Sequence, residues 1–498
     1  MTPFTPTIEA IRTKGQVWTP SWVADAMAII LRSKLSGEIL DPAVGPGALI
    51  ASCKRLSNVA LKVTAYEIDE SVLALNHSET EFAKSEFSKI VLDSFLEHSD
   101  DKKYSAIIAN PPYLRHHKIP AELKSRCKEI VQNVLGISID ARAGLHIYFL
   151  VQALSRLEEN GRLVFLVPAD TFEGVFAEKL WSAISSKFRI DGILTLSSEV
   201  SAFPGVDTNA VIVVISKSQP VNEMIWAKWE GLNPANFSNA AEIAFNHDFI
   251  EAANLGLKSS LVPIEEAISR GFTRSQSGER VEGVPFIDIA RVMRGIATGD
   301  NDFFVFTKNR IQEFGLKEEN FVRTIMRVRD LPSSGLNSAD LKYLDDNERP
   351  TYLLSIDANT IMYPNLQKYI EAGEASGLSK KALVSARKYW YFMEKREPVP
   401  ILFAYLGRRN VRFIKVDVPI QPLTGFLCVY PQKGVSVETL VSALNHPITI
   451  NELSKVGKSY GNGAIKVEPG GLRKLIVPWE AIDAAGIDVS SLVGDSKK

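Results

Sequence analysis

The sequence predicts an α/β fold: a doubly wound, largely parallel sheet in the first half, followed by a mixed α+β domain. Two observations carry this. Residues 36–216 alternate strand-like and helix-like segments, and the clearest strand candidates are continuous apolar runs. Such runs belong to strands covered on both faces, and their alternation with helices implies a doubly wound sheet. After about residue 250 the alternation fades and mixed Arg/Lys and aromatic clusters take over. The expected division is therefore residues 1–250 and 251–498.

The strand candidates run in order through Ile39-Leu40, Leu61 to Tyr66, Ile90 to Leu92, Ser105 to Ala109, Leu163 to Val167, Gly192 to Leu196 and Val211 to Ser216. Helix candidates between them are Ala48 to Leu56, Ser71 to Phe82 and Leu145 to Glu158, with an amphipathic stretch from Trp22 to Leu31 ahead of the first strand.

The chain has 498 residues, 45% of them apolar, enough for two or three globular cores. No apolar run reaches the roughly 18 residues that span a bilayer, and Met1-Thr2-Pro3-Phe4-Thr5-Pro6 lacks the basic and apolar regions of a signal peptide. Cys53, Cys127 and Cys428 have neither disulfide nor metal spacing and read as thiols in a reducing cytoplasm. The formal charge of −1 does not announce a nucleic-acid binder, although a local basic face is compatible with it. His116-His117 has no carboxylate or thiol spaced to complete a metal site and reads as loop surface or a backbone contact to DNA.

The segment from Ile39 through Asp41, Gly45 and Gly47 to Leu49 is a short strand, a glycine turn and a helix start. Glycine there allows a ligand close to the backbone, but the pattern is not a phosphate-binding GxGxxG. Glu67 ends the next strand, where a carboxylate can accept from both ribose hydroxyls of a nucleoside or stand as a solvated loop residue. Asp93 ends the third strand, as an acceptor for an adenine amino group or as a helix N-cap. Three carboxylates at three consecutive strand ends describe a nucleoside pocket with no phosphate to neutralise. S-adenosylmethionine fits that pocket better than a dinucleotide.

Asn110-Pro111-Pro112-Tyr113 follows the fourth strand at once. From average residue usage this tetrapeptide arises by chance in about one in a thousand chains of this size. A delocalised amine is a poor nucleophile, and two acceptors aimed at its hydrogens draw the nitrogen towards tetrahedral geometry. The Asn110 side-chain oxygen and the Pro111 carbonyl supply them, on a loop that proline stiffens and deprives of donors. Tyr113 offers a ring on which an extruded base can stack.

With these motifs the chain resembles the amino-methylating DNA methyltransferases of the adenine-N6 type. Gly15-Gln16-Val17-Trp18-Thr19-Pro20 stands before Asp41, and the Asn-Pro-Pro-Tyr loop comes after it, the family's gamma order. The resemblance implies a Rossmann-like methyltransferase domain followed by a target-recognition domain, with base flipping, in a restriction–modification system. It implies Thr19 beside the methionine portion of the cofactor and Asp41, Gly45 and Gly47 in the loop under it. Glu67 would hold the ribose and Asp93 the adenine amine. Phe149 is implied as an aromatic against the cofactor's adenine, or is a helix core residue; Phe203, in Ala202-Phe203-Pro204-Gly205, as a second ring against the extruded base.

In the second half, Arg294-Gly295-Ile296-Ala297-Thr298-Gly299-Asp300-Asn301 resembles the opening of the recognition domain. Arg396 to Leu402 and Gly457 to Gly463 resemble later signatures of it. The clusters Arg387 to Tyr391 and Arg408 to Phe413 have the cationic and aromatic mix of a DNA-contacting surface, and Arg294, Arg408, Arg409 and Arg412 are the expected DNA-binding residues. The expected partners are double-stranded DNA and a cognate endonuclease, with the chain monomeric. Competing readings are a glutamine-N5 protein methyltransferase, an RNA methyltransferase, a lapsed DNA specificity module, a fused endonuclease and cytosine-N4 chemistry.

Overall fold

A computed structural model describes residues 15, 17–72, 90–98, 101–172, 176–196, 210–272, 281–332, 335–404, 406–407, 412–460 and 464–488. The chain divides into two compact units, 1–277 with 460–463, and 278–459 with 464–498.

The first unit is built on a nine-stranded sheet. Its strands are β1 (Glu38–Asp41), β2 (Lys62–Glu67), β3 (Ile90–Leu92), β4 (Tyr104–Ala109), β5 (Leu157–Pro168), β6 (Arg189–Leu196), β7 (Ala210–Ser216), β8 (Glu223–Trp229) and β9 (Leu257–Pro263). They lie in the order β3-β2-β1-β4-β5-β7-β6-β8-β9. The pairs from β3 to β5 are parallel, and β7 is antiparallel to both of its neighbours.

The apolar runs fold this way because both faces of the sheet are covered. Along β4 and β5, Ile107, Ala109, Leu163, Phe165 and Val167 face one cluster, and Ala106, Ile108, Val164 and Leu166 the other. Helices α1 (Ser21–Leu31) and α2 (Ala48–Leu56) pack into the second cluster. Helices α3 (Ala121–Leu135), α4 (Leu145–Ser155) and α5 (Ala177–Lys187) pack into the first. With neither face wet, a strand carries no polar alternation.

The seven strand candidates correspond to β1–β7, and the fold is doubly wound as the sequence indicates. Two details differ. Helix α4 ends at Ser155, because the chain turns at Arg156 and Leu157 opens β5. The sheet also runs on through β8 and β9, the latter pairing antiparallel with β8 along its length. The sequence division near 250 falls before this last strand, and the compact unit extends to Ser277. The helix candidate Ser71 to Phe82 lies outside the described residues beyond Val72.

The second unit is mixed α+β. One antiparallel sheet runs Ala290–Arg294, Phe426–Pro431, Ile401–Ala404, Phe413–Lys415. Another joins Val305–Phe306, Tyr352–Leu354 and Phe321–Arg323. Each has its own buried cluster, Phe403 and Val429 in one and Phe304, Phe306 and Leu353 in the other.

Candidate active site

In an open α/β sheet a ligand crevice forms beyond the carboxyl ends of the strands where their order reverses. Here that point lies at β1, with β2 and β3 on one side and β4 on the other. Asp41, Glu67, Asp93 and Asn110 end or follow β1, β2, β3 and β4. A cavity of 690 Å³ opens there, lined by Thr19, Gly45, Glu67, Asp93, Asn110, Pro112 and Phe149 among others.

The Asn110 side chain is fixed by its surroundings. Its Nδ2 donates to the Val17 carbonyl at 2.8 Å and to Thr19 Oγ1 at 3.0 Å. A main-chain carbonyl can only accept, so the amide nitrogen must face it and the oxygen must point the other way. That Oδ1 is buried and has no hydrogen-bond partner. Leaving such an acceptor unmet costs about 1–3 kcal/mol, which a ligand donor recovers.

Gly15 holds the same loop from behind. The Tyr113 amide donates to the Gly15 carbonyl at 3.0 Å. Gly15 has φ +69°, and a Cβ on it would lie 2.9 Å from the backbone of Tyr113. The two segments touch backbone to backbone, which only glycine permits. The Tyr113 ring is half-buried and stands edge-on to His146, centroids 5.9 Å apart. Its hydroxyl is buried without a partner, and burial pushes its pKa up. Pro111 is buried beside it and does not line the cavity.

His146 is a feature that pattern reading missed, since it sits inside an apolar helix start. It is buried, with Nε2 2.9 Å from Thr171 Oγ1, and burial drives its pKa down to about 3. Gly144 leaves room for it: a Cβ there would lie 2.7 Å from the imidazole.

The carboxylates divide by environment. Asp41 is fully buried beneath the glycine loop; Oδ1 accepts from the Ala43 amide at 3.1 Å and Oδ2 has no partner. Burial, with the nearby Glu67 charge adding to it, raises its pKa to about 8. Glu67 accepts three main-chain amides at 2.9 Å, those of Gly45, Ile68 and Asp69, and so ties the β1 loop to the end of β2. Burial pushes its pKa up against those bonds. Asp93 is more than half exposed; Oδ1 accepts from the Ser94 amide at 2.7 Å, and Oδ2 lies 3.0 Å from His98 Nε2. Gly45 has φ +50° and open space where a Cβ would be, while Gly47 (φ +82°) precedes the first residue of α2. Phe149 is 7% exposed, 5.9 Å from the Phe95 ring, and borders the cavity, so it is both helix core and lining.

The structure thus brings Thr19, Gly45, Glu67, Asp93, Asn110, Pro112 and Phe149 to one cavity, with Asp41, Gly47, Pro111 and Tyr113 next to it in the chain. Phe203, Arg408 and Arg409 lie outside the described residues. Arg294 ends a strand of the second unit, and its carbonyl accepts from the Arg396 guanidinium. Arg412 immediately precedes the strand Phe413–Lys415. Arg387, in the first cationic cluster, is half-buried and donates to the carbonyls of Ala297 at 2.9 Å and Thr298 at 2.7 Å. That cluster is in part internal scaffolding for the 294–301 signature. His116 and His117 stand edge-on to each other at 5.3 Å. Among the described residues no group of three or more His, Cys, Asp or Glu is placed to hold a metal ion.

The family described as N-6 DNA Methylase matches residues 5–231. The family described as Type II methyltransferase M.Eco57I, C-terminal domain, matches residues 275–494. Type II methyltransferase M.AccI of Acinetobacter calcoaceticus is 26% identical over 471 residues, covering 92% of this chain and 84% of the relative. Type II methyltransferase M.XamI of Xanthomonas campestris pv. amaranthicola is 24% identical over 477 residues, covering 93% and 85%. Among solved structures, the type IIL restriction-modification enzyme MmeI in complex with DNA shares the fold, with a TM-score of 0.56 and 14% identity, over 94% of this chain and 64% of that one. The two family matches together span both units and, with the type II methyltransferase relatives, support an adenine-N6 DNA methyltransferase of a restriction–modification system.

Proposed function

We propose that the chain methylates the N6 amine of an adenine flipped out of double-stranded DNA, using S-adenosylmethionine. The observation that carries this is the unpaired, buried Oδ1 of Asn110, held in orientation by Val17 and Thr19 at the edge of the cavity. A fixed acceptor of this kind suits a neutral amine donor. The Pro111 carbonyl is the second acceptor, and together they hold the nitrogen lone pair in line for attack. The bound cofactor supplies an electrophilic methyl group.

The residues present fit that cofactor. Glu67 and Asp93 offer carboxylate acceptors for hydroxyl and amino groups, Phe149 offers an aromatic surface, and Thr19, in the same lining, is assigned to the methionine end. The cavity volume lies in the range of small-molecule sites, about 300–1,000 Å³. Asp41, Gly45 and Gly47 shape the loop beneath. Tyr113 and Phe203 are assigned to stacking against the extruded adenine. Arg294, Arg408, Arg409 and Arg412 are assigned to DNA contact. The chain acts as a monomer and protects sites cut by a cognate endonuclease.

The test is direct. The protein is incubated with labelled S-adenosylmethionine and plasmid DNA, and the digested nucleosides are separated. Label in N6-methyl-2′-deoxyadenosine from the DNA is expected. Label in protein or RNA with none in DNA overturns the reading.

A further inference from the structure

Asp93 is the proposed acceptor for the cofactor's adenine amine, and the role assigned here to its neighbour His98 rests on that proposal. A carboxylate more than half exposed on a loop turns freely unless something holds it. Asp93 is held at both oxygens, by the Ser94 amide at 2.7 Å and by His98 Nε2 at 3.0 Å. His98 is itself anchored. Its ring packs on Tyr66, centroids 5.1 Å apart. Its carbonyl accepts from Gln152 Nε2 and from Arg156 Nη2, each at 2.8 Å. Both of those side chains are buried, and Gln152 also donates to the Phe95 carbonyl at 2.7 Å. Helix α4 and the turn after it therefore fix residues 95–98, and the fixed turn presents the imidazole to Asp93.

A carboxylate has about four acceptor positions, and these two bonds leave others open to a ligand. We infer that His98 is a positioning residue that aims Asp93 at the 6-amino group of the cofactor's purine, and so sets the choice of adenine over a 6-oxo purine. The Nε2–H of His98 restricts rotation of the carboxylate, as outer partners do for ligating groups elsewhere. A 6-oxo purine would turn a carbonyl towards the same oxygen and be repelled.

The full-length protein is titrated by calorimetry with S-adenosylhomocysteine and with S-inosylhomocysteine, its 6-oxo counterpart. The native protein is expected to prefer the adenine form by at least about ten-fold, one good hydrogen bond to a charged group. His98→Ala should reduce that preference about five-fold, raise KM for S-adenosylmethionine and leave kcat at saturation unchanged. His98→Gln, which keeps a donor, should restore part of the preference. If Asp93→Ala erases the preference and His98→Ala does not, the positioning role is wrong while the reading of Asp93 stands. Should Asp93→Ala leave the preference intact, the reading of Asp93 falls and the role of His98 with it. Equal loss of affinity for both nucleosides in both His98 variants marks a merely structural histidine and also overturns the positioning role.

Discussion

At the scale of single residues, the site depends on which polar atoms are satisfied and which are left open. Asn110 spends both amide hydrogens on Val17 and Thr19 and keeps its oxygen free. Removing that oxygen should remove stabilisation available only as the amine rehybridises. Losing one such preorganised group typically costs about 100- to 1,000-fold in kcat. Asn110→Ala is therefore expected to lose at least about 100-fold in turnover, with cofactor affinity within a few-fold. Thr19→Val keeps the shape and deletes one acceptor of the amide, about 1 kcal/mol or roughly five-fold in rate. Single-turnover kinetics and cofactor titration check both; near-normal turnover in Asn110→Ala would falsify the mechanism. Asp41 behaves differently, because its effect is on folding. Its pKa is about 8 when buried and near the ordinary 3.8 when unfolded, so the folded state holds a proton that the unfolded state releases. Stability from this group is complete below pH 3.8 and falls as pH rises to 8. Asp41→Asn stays neutral and keeps an acceptor for Ala43. Its Tm relative to the native protein should climb from pH 5 to about pH 8 and then level off. A Tm difference that ignores pH rules out the buried acid.

At the scale of elements, much of the site was legible because it sits where strands end. Long apolar runs mark covered strands, and a polar residue after each run falls at the crevice, as Asp41, Glu67, Asp93 and Asn110 do. What escaped reading was carried by contacts between distant segments. Glu67 looks in sequence like a residue awaiting a ribose; folded, it also ties together the amides of Gly45, Ile68 and Asp69. His146 hides in an apolar helix, and nothing in its neighbours says that Thr171 will meet it. Strand β9 escaped because it is an edge strand with exposed or half-exposed Lys and Ser, which reads as loop. The cluster around Arg387 looked like a DNA surface, yet its guanidinium closes onto the carbonyls of Ala297 and Thr298. Backbone contact between Gly15 and Tyr113 gives a prediction at this scale. Gly15→Ala places a methyl 2.9 Å from the Tyr113 backbone at φ +69°. The left-handed conformation alone costs about 1–2 kcal/mol for an alanine, and the clash adds to it. The catalytic loop must shift, and kcat should fall at least about ten-fold in steady-state assays. Unchanged kcat would show that Gly15 does not set the loop.

At the scale of the whole molecule, the chain must bind a polyanion with a formal charge of −1. Attraction therefore depends on where cations sit rather than how many there are. In the second unit many basic side chains are engaged internally: Arg323 pairs with Asp345 at 2.9 Å, Lys381 with Asp300 at 2.5 Å and Lys395 with Asp357 at 2.6 Å. Affinity should therefore rest on the clusters where cations are dense along the chain. The densest in sequence is Arg408, Arg409 and Arg412, next to the strand Phe413–Lys415. For every phosphate that a cation no longer neutralises, the slope of log affinity against log salt falls by about 0.9. Replacing all three arginines with glutamate should flatten that slope by about 3 and weaken binding to any DNA sequence at low salt. Cofactor affinity should not change, since the cavity residues lie in the other unit. Fluorescence anisotropy at several salt concentrations, on cognate and unrelated duplexes, separates the alternatives. A parallel loss on both duplexes marks phosphate contacts, and a loss confined to the cognate duplex marks base reading. An unchanged slope with unchanged affinity rejects the cluster as part of the DNA-binding face.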